Sequence, residues 1–302
     1  MSFISGAVRA FSTSTTMTTR ELKVNPVASI GFGHKNDFYN ANRPSYPSSV
    51  LSHIHQSITK KNKDDLNIVE LGSGTGIFSR LVLSPPEGYP KFPIKSFTAL
   101  EPSSGMRDSF NRNVIPSVDA PVVSMEGTFT QFPESVQDGT VDACLIAQAF
   151  HWAHPEYAEA AKTIGRSLKP HNGQLVFIWN SESLSVPWIK TFRDTYEVYD
   201  GHSPQQRFKL WHALYDTPEY KTLFDPPVFT VWNSKSPCTK EIAINRVMSK
   251  SYTSVLSKEE SEALISKLEQ VLDSAEDMVW IDKEKGVFEY NYETDVVIMN
   301  RK

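Results

Sequence analysis

Apolar positions recur at helical spacing from Ser48 to Ile58, directly after the two prolines of FYNANRPSYP at 38 to 47, and predict an opening helix. A charged loop from Lys60 to Asp65 separates it from Leu66 to Leu71, a short, largely apolar run that empties into glycines at Gly72, Gly74 and Gly76. That length and that boundary are those of a strand buried on both faces. The helix expected next turns Phe78, Leu81 and Val82 inward, and Ser84 to Lys95, with four prolines and a glycine, is a loop. Beyond it the pattern predicts a strand at Phe97 to Leu100 ending in Glu101 and a helix from Ser103 through Asn111. Strands at Pro121 to Met125 and Val141 to Ala147 follow, then a helix from Pro155 to Leu168 stopped by Pro170 and Gly173, then a strand at Gln174 to Trp179. Strand and helix alternate from Leu66 to Asn180, the signature of a parallel sheet covered on both faces. After Asn180 the rhythm changes. The chain reads as helical and aromatic-rich to about Asp225, with a strand at Val228 to Trp232, an amphipathic helix at Glu259 to Leu272 and a last strand within Val287 to Asn300.

Length and composition narrow the class. A chain of 302 residues with 39% apolar side chains suits one large α/β domain with additions. The net charge is -4 and the 31 Lys and Arg are scattered, so no basic footprint for nucleic acid is present. Cys144 and Cys238 lie far apart without metal-ligand spacing, which suits a reducing compartment. No apolar stretch approaches the ~20 residues of a membrane-spanning helix, so no membrane partner is expected and the expected location is the cytoplasm. The opening MSFISGAVRAFSTSTTMTTR is rich in Ser and Thr, carries Arg9 and Arg20 and has no acid. Residues 1–30 are accordingly read as a disordered tail, with a mitochondrial targeting segment as the alternative.

The glycine turn carries the chemistry. A strand, a glycine-rich turn and a helix place a ligand over the helix N-terminus at the carboxyl ends of the strands. In a dinucleotide site the run is GxGxxG. Here it is Gly72-Ser73-Gly74-Thr75-Gly76-Ile77, so the third glycine comes one position early. Glu70, two residues before the first glycine, would repel a pyrophosphate, whereas S-adenosylmethionine presents an ammonium group and a sulfonium. Glu101, at the end of the next strand, stands where an acid accepts hydrogen bonds from ribose hydroxyls, which supports a nucleoside without choosing which.

The chain resembles class I S-adenosylmethionine-dependent methyltransferases, and within them the type 11 branch that includes trans-aconitate methyltransferase and its fungal relatives. The resemblance rests on FYNANRPSYP, on VELGSGTG at 69 to 76, LEPSSGM at 100 to 106, AQAFHW at 147 to 152 and LKPHNGQLVFIWN at 168 to 180. It implies a Rossmann-like, mainly parallel seven-stranded sheet with helices on both faces and an aromatic-rich helical lid. Residues 36–180 would form the cofactor-binding core, and 181–302 a lid and final strands completing the same domain. It also implies roles. Gly72, Ser73, Gly74, Thr75 and Gly76 would approach the methionine part of the cofactor and Glu70 would orient its amino group. Glu101 would bind the ribose, with Pro102 and Met106 flanking the adenine. Thr128 and Phe129 would stand at the adenine edge, where relatives often carry an acidic or small residue. Gln148 would face the cofactor, His151 and Trp152 would sit over the methyl-transfer region, and Tyr39 and Arg43 would belong to a segment folding over the site.

Methyl transfer from a sulfonium is an in-line displacement, so the protein mainly holds the acceptor against the methyl and excludes water; orientation supplies up to ~7–11 kcal/mol. Trp152 is a candidate for stabilising the sulfonium through its π face. His151 is the candidate base for an acceptor that must lose a proton, while a carboxylate needs only a cation to hold it, and Arg43 is the candidate. The spacing His151-x-x-His154 lacks a further clustered ligand, so no metal is expected. Trp188, Phe192, Tyr196, Tyr199, Trp211, Tyr215 and Phe224 fit core packing better than a substrate pocket. The leading expectation is a methyltransferase acting on a small molecule, at a carboxylate or another oxygen. A nicotinamide-dependent oxidoreductase and a cofactor-binding protein without catalysis are the alternatives; the acceptor and the oligomeric state are left open.

Overall fold

The computed structural model describes residues 43–62, 64–201 and 203–302; Tyr39 and the segment read as tail or targeting signal lie outside them. The opening helix, α1 (Ser48–Lys61), buries Val50, Leu51, Ile54 and Ile58 on one face. Strand β1 (Leu66–Leu71) runs into the glycine turn and α2 (Ile77–Leu83). There follow β2 (Ile94–Leu100), α3 (Ser104–Asn113), β3 (Val122–Met125), β4 (Ala143–Ala147), α4 (Tyr157–Ser167) and β5 (Gln174–Glu182). The remainder supplies α5 (Pro187–Glu197), α6 (Pro218–Leu223), β6 (Val228–Cys238), α7 (Lys240–Met248), α8 (Lys258–Asp273), β7 (Trp280–Asp282) and β8 (Val287–Asn300).

The sheet runs β3-β2-β1-β4-β5-β8-β6, with the first five strands parallel and β8 pairing antiparallel with both β5 and β6. This path has the seven strands expected; the short β7 pairs with β8 beside it as an eighth. The period of two along each central strand divides the core. Val69, Leu71, Cys144, Ile146, Leu175, Phe177 and Trp179 face one layer, in which α4 packs. Leu66, Ile68, Ala143, Leu145, Val176 and Ile178 face the other, with α1 and α2. A third cluster lies where Trp188, Phe192 and Tyr196 of α5 meet Leu264 and Leu268 of α8 and Phe288, Tyr290 and Tyr292 of β8.

Three strands are longer than the hydrophobic pattern predicts, the first being β2, which begins at Ile94, inside the expected loop, where it pairs with Leu66 of β1. β5 continues past Trp179 to Glu182 and β6 past Trp232 to Cys238, because both pair with the long β8: Glu182 opposes Tyr292 and Cys238 opposes Phe288. The hydrophobic pattern does not predict helix α7 or strand β7. α7 buries only Ala243, Ile244 and Val247, and β7 has just three residues, so neither leaves a strong periodic trace. Of the insertion's aromatics, Trp188, Phe192, Tyr196, Trp211 and Phe224 are buried in the core clusters. Among the described residues no helix is long and apolar enough to cross a membrane.

Candidate active site

The carboxyl ends of β1, β2, β4 and β5 open into one cavity of about 260 Å3. Its floor is the glycine turn. Gly72 N–H and Ser73 N–H both donate to the Leu100 carbonyl, at 2.8 and 3.2 Å, pinning the turn to the end of β2. Gly76 caps α2 with φ +87°, and a Cβ there would stand 2.4 Å from Val114 Cγ2 and 2.9 Å from Phe110 Cδ2. Glycine is needed at that place both for its backbone angle and for the close approach of α3. Gly72, at φ +66°, lies under Phe129 and Ala149; a Cβ on it would meet Ala149 Cβ at 2.6 Å.

Two acids face this floor, and both are buried. Glu101 accepts from Gly74 N–H at 3.1 Å through one oxygen and from Ser103 N–H at 2.9 Å through the other. Ser103 also caps α3, its hydroxyl accepting from Met106 N–H, while Arg107 donates to the carbonyls of Glu101 and Pro102 at 2.7 Å. Burial pushes the Glu101 carboxyl up, and these backbone donors and Arg107 oppose it. Glu70 is held by the Ser79 hydroxyl of α2. Burial raises it to about 8; the Ser79 hydrogen bond works against the shift and the neighbouring Glu101 charge adds to it. The Ser73 hydroxyl, also buried in this wall, has no hydrogen-bond partner among the described residues.

These features fit S-adenosylmethionine. Two buried acids whose charges repel one another, with no side-chain cation bonded to either carboxyl among the described residues, call for a positive ligand. A carboxylate has about four lone-pair positions, so Glu101 retains acceptor capacity for a diol after its two backbone bonds. Pro102 and Met106 line the same end, with Met106 Sδ 3.6 Å from the Cβ position of Gly74. Thr128 and Phe129 close the side: the Thr128 hydroxyl accepts from Gln131 N–H at 3.1 Å to form a tight turn, and the Phe129 ring meets Phe150 edge-on at 5.6 Å. Thr75 lines the cavity with them.

The opposite end of the cavity is basic. Arg43, Arg193, Arg207, Arg246 and Lys250 line it together with Glu182 and Glu197. Arg43 donates to the Ser249 carbonyl at 3.1 Å, and Arg246 donates to the Tyr292 hydroxyl at 2.6 Å while its guanidinium lies 5.6 Å from the Tyr290 ring. Lys250 pairs with Glu182 at 3.1 Å and sits 4.8 Å over the Tyr196 ring. Arg193 and Arg207 both engage Glu197, and Arg207 also pairs with Asp200. Burial alone would raise Glu182, but the Lys250 ammonium and the Arg193 guanidinium outweigh it and hold the carboxyl at about 2. Burial lowers Lys250, Glu182 counters, and the Arg43 and Arg193 charges lower it further. Of this basic end the sequence pattern singled out only Arg43. Arg193, Arg246 and Lys250 come from α5, α7 and the turn after α7, remote in sequence from the glycine motif and with no spacing that joins them.

Between the two ends stand Gln148, His151 and Trp152. Gln148 has φ +57°, and its side chain donates to the Asn180 carbonyl at 2.6 Å. Asn180 in turn donates to the Ser45 carbonyl at 3.0 Å and accepts from Thr294, tying the segment before α1 to β5 and β8. His151 is buried on the turn Phe150–Ala153, and its Nδ1 accepts from the Trp179 indole N–H at 3.4 Å. Burial lowers the imidazole to about 3. His151 thus lines the cavity as expected, but as a neutral ring with one nitrogen engaged, which corrects the expectation that its pKa suits a base. Among the described residues no three His, Cys, Asp or Glu side chains converge as a metal site.

Residues 69–177 match the family described as a methyltransferase domain. An uncharacterised methyltransferase of Schizosaccharomyces pombe is 30% identical over 249 residues, covering 80% of this chain and 88% of the relative. A second protein of that organism, described as uncharacterised and methyltransferase-like, is 34% identical over 179 residues, 59% of this chain and 62% of its own length, so the match spans less than two thirds of that relative. A solved structure from Anaeromyxobacter dehalogenans, assigned as a type II methyltransferase, superposes with a TM-score of 0.56 at 12% identity, covering 86% of this chain and 97% of that one, and shows the shared fold.

Proposed function

The chain belongs to the methyltransferase-domain family of class I S-adenosylmethionine-dependent enzymes, and from that premise we propose that it methylates a small organic anion at a carboxylate oxygen. Membership removes the nicotinamide-dependent alternative. The observation that carries the proposal is the polarity of the cavity: paired acids, Glu70 and Glu101, at the glycine turn and, at the far end, five cations against the two carboxylates of Glu182 and Glu197. A cationic cofactor and an anionic acceptor suit those ends, and each would lie against charge of the opposite sign.

Bound at the glycine turn, S-adenosylmethionine supplies an electrophilic methyl group on a sulfonium. Glu70 would orient its amino group, Glu101 would hold its ribose, and Pro102, Met106, Thr128 and Phe129 would surround its adenine. Arg43, Arg246 and Lys250 would bind the acceptor carboxylate, with Arg246 pre-aimed by Tyr292 and Lys250 by Glu182. Trp152 would present its π face near the sulfonium. An ionised carboxylate has no proton to lose before it accepts a methyl, so the low basicity of His151 is no obstacle. A phenol or an alcohol acceptor would need a base, and the imidazole is a poor one.

The test is transfer of labelled methyl from S-adenosylmethionine to a panel of small mono- and dicarboxylic acids. The expected product is an ester from which alkali releases labelled methanol. Transfer only to base-stable products would refute the carboxylate assignment, and cofactor binding without turnover on acids or metabolite extracts would favour a non-catalytic role.

A further inference from the structure

Trp179 occupies an interior position of β5 and is fully buried. Its ring is wedged against Trp211, 4.4 Å between centroids, and meets Phe177 edge-on at 5.5 Å. Trp211 is itself anchored by its indole N–H, which donates to the Gln206 carbonyl at 3.3 Å. A buried indole N–H needs an acceptor, because an indole nitrogen can only donate. The acceptor given to Trp179 is His151 Nδ1, at 3.4 Å. His151 is fixed from its own side as well: its turn begins with Phe150, stacked 4.2 Å from Phe177, and its ring lies 5.0 Å from Trp152. His151 and Trp152 line the cavity, whereas Trp179 does not.

We propose that Trp179 is a positioning residue that locks His151 in the tautomer with Nδ1 bare and the proton on Nε2, making the imidazole a permanent hydrogen-bond donor to the methyl acceptor rather than its base. The neutral ring carries one proton, and a donor at Nδ1 leaves only Nε2 to hold it. Protonating Nδ1 would set two N–H groups against one another in a buried place. Burial is the cause of the low imidazole pKa, and among the described residues no Asp, Glu, Lys or Arg contributes to it. In methyl transfer to a carboxylate the attacking oxygen supplies the electron pair of the new C–O bond, the pair of the broken S–CH3 bond stays on sulfur, and no proton moves. A donor at Nε2 is useful there: it grips the oxygen that does not attack and leaves the other directed at the methyl. That last step rests on the carboxylate reading; the tautomer does not.

The experiment is a long-range 15N–1H correlation spectrum of the histidine rings in uniformly labelled full-length protein, recorded from about pH 5 to about pH 8, where unperturbed imidazoles titrate. His151→Gln assigns the resonance by its loss. The expected spectrum shows Nδ1 as unprotonated, Nε2 as protonated, and neither moving across the range. In Trp179→Phe the ring should populate both tautomers and begin to titrate, with affinity for S-adenosylhomocysteine unchanged within about twofold. A wild-type His151 that carries its proton on Nδ1, or that titrates within the range, would overturn the proposal, as would a Trp179→Phe ring that keeps the wild-type tautomer. If Trp179→Phe does not fold, the wild-type spectrum still decides. Failure to methylate any carboxylic acid alongside the expected spectrum would remove the carboxylate reading and leave the lock standing.

Discussion

Glu70 and Glu101 share one buried wall, so cofactor binding should expel a proton, and its strength should climb with pH. With Glu70 at about 8 in the free protein, a ligand ammonium that favours the ionised carboxylate finds roughly 1% of molecules ready at pH 6 and roughly half at pH 8. The affinity for S-adenosylhomocysteine should therefore rise by about 50-fold over that interval, about 2 kcal/mol, and level off above about pH 8. Calorimetric titration at pH 7 in two buffers of different ionisation enthalpy counts the protons directly, and roughly 0.9 per site should be released. Glu70→Gln keeps the shape and the Ser79 contact but removes the titration, so its binding should be weaker at pH 8 and nearly flat with pH. The sign for folding is the reverse. An acid whose pKa is raised in the folded state binds protons there that the unfolded chain has lost, so the free protein should lose stability as pH rises from about 4.5 through about 8. Cofactor should restore it, giving a larger thermal shift at pH 8 than at pH 6. A binding enthalpy that does not depend on the buffer, together with an affinity flat in pH, would refute the reasoning.

Other substitutions separate the parts of the site. Gly76→Ala should cost about 2–5 kcal/mol in urea denaturation, since it adds a strained backbone angle to an overpacked contact with Val114 and Phe110. Lys250→Met leaves Glu182 buried beside Arg193 without its ammonium partner and should cost roughly 3 kcal/mol by the same measurement. Arg246→Gln should raise KM for a carboxylic acid substrate by about tenfold or more with cofactor affinity unchanged, as read by steady-state kinetics beside calorimetry.

Much of the central sheet and of the cofactor end of the cavity is legible in the sequence because both are local. The run from Leu66 to Gly76 is strand, turn and helix start at once, and its limits are marked by residues whose chemistry admits few other settings. Glu101 and His151 follow strands within the same alternating pattern. The basic end could not be read in that way. Arg193, Arg246 and Lys250 meet only because β8 pairs with β5 and β6 and folds α5 and α7 over the strand ends. The setting of His151 is equally hidden, since its basicity depends on burial and its Nδ1 is engaged by an indole 28 positions away.

The position of β8 also orders events in time. Its residues, 287–300, lie between β5 and β6, so β5 is synthesised long before the strand that covers its outer edge. At about 5–20 residues per second, roughly 6–24 s pass between completion of β5 and completion of β8. Throughout that interval the apolar run from Leu175 to Trp179 has an open row of backbone donors and acceptors on one side, a template for pairing with any passing strand. Nascent chains stalled before residue 287 should thus be open to protease at β5.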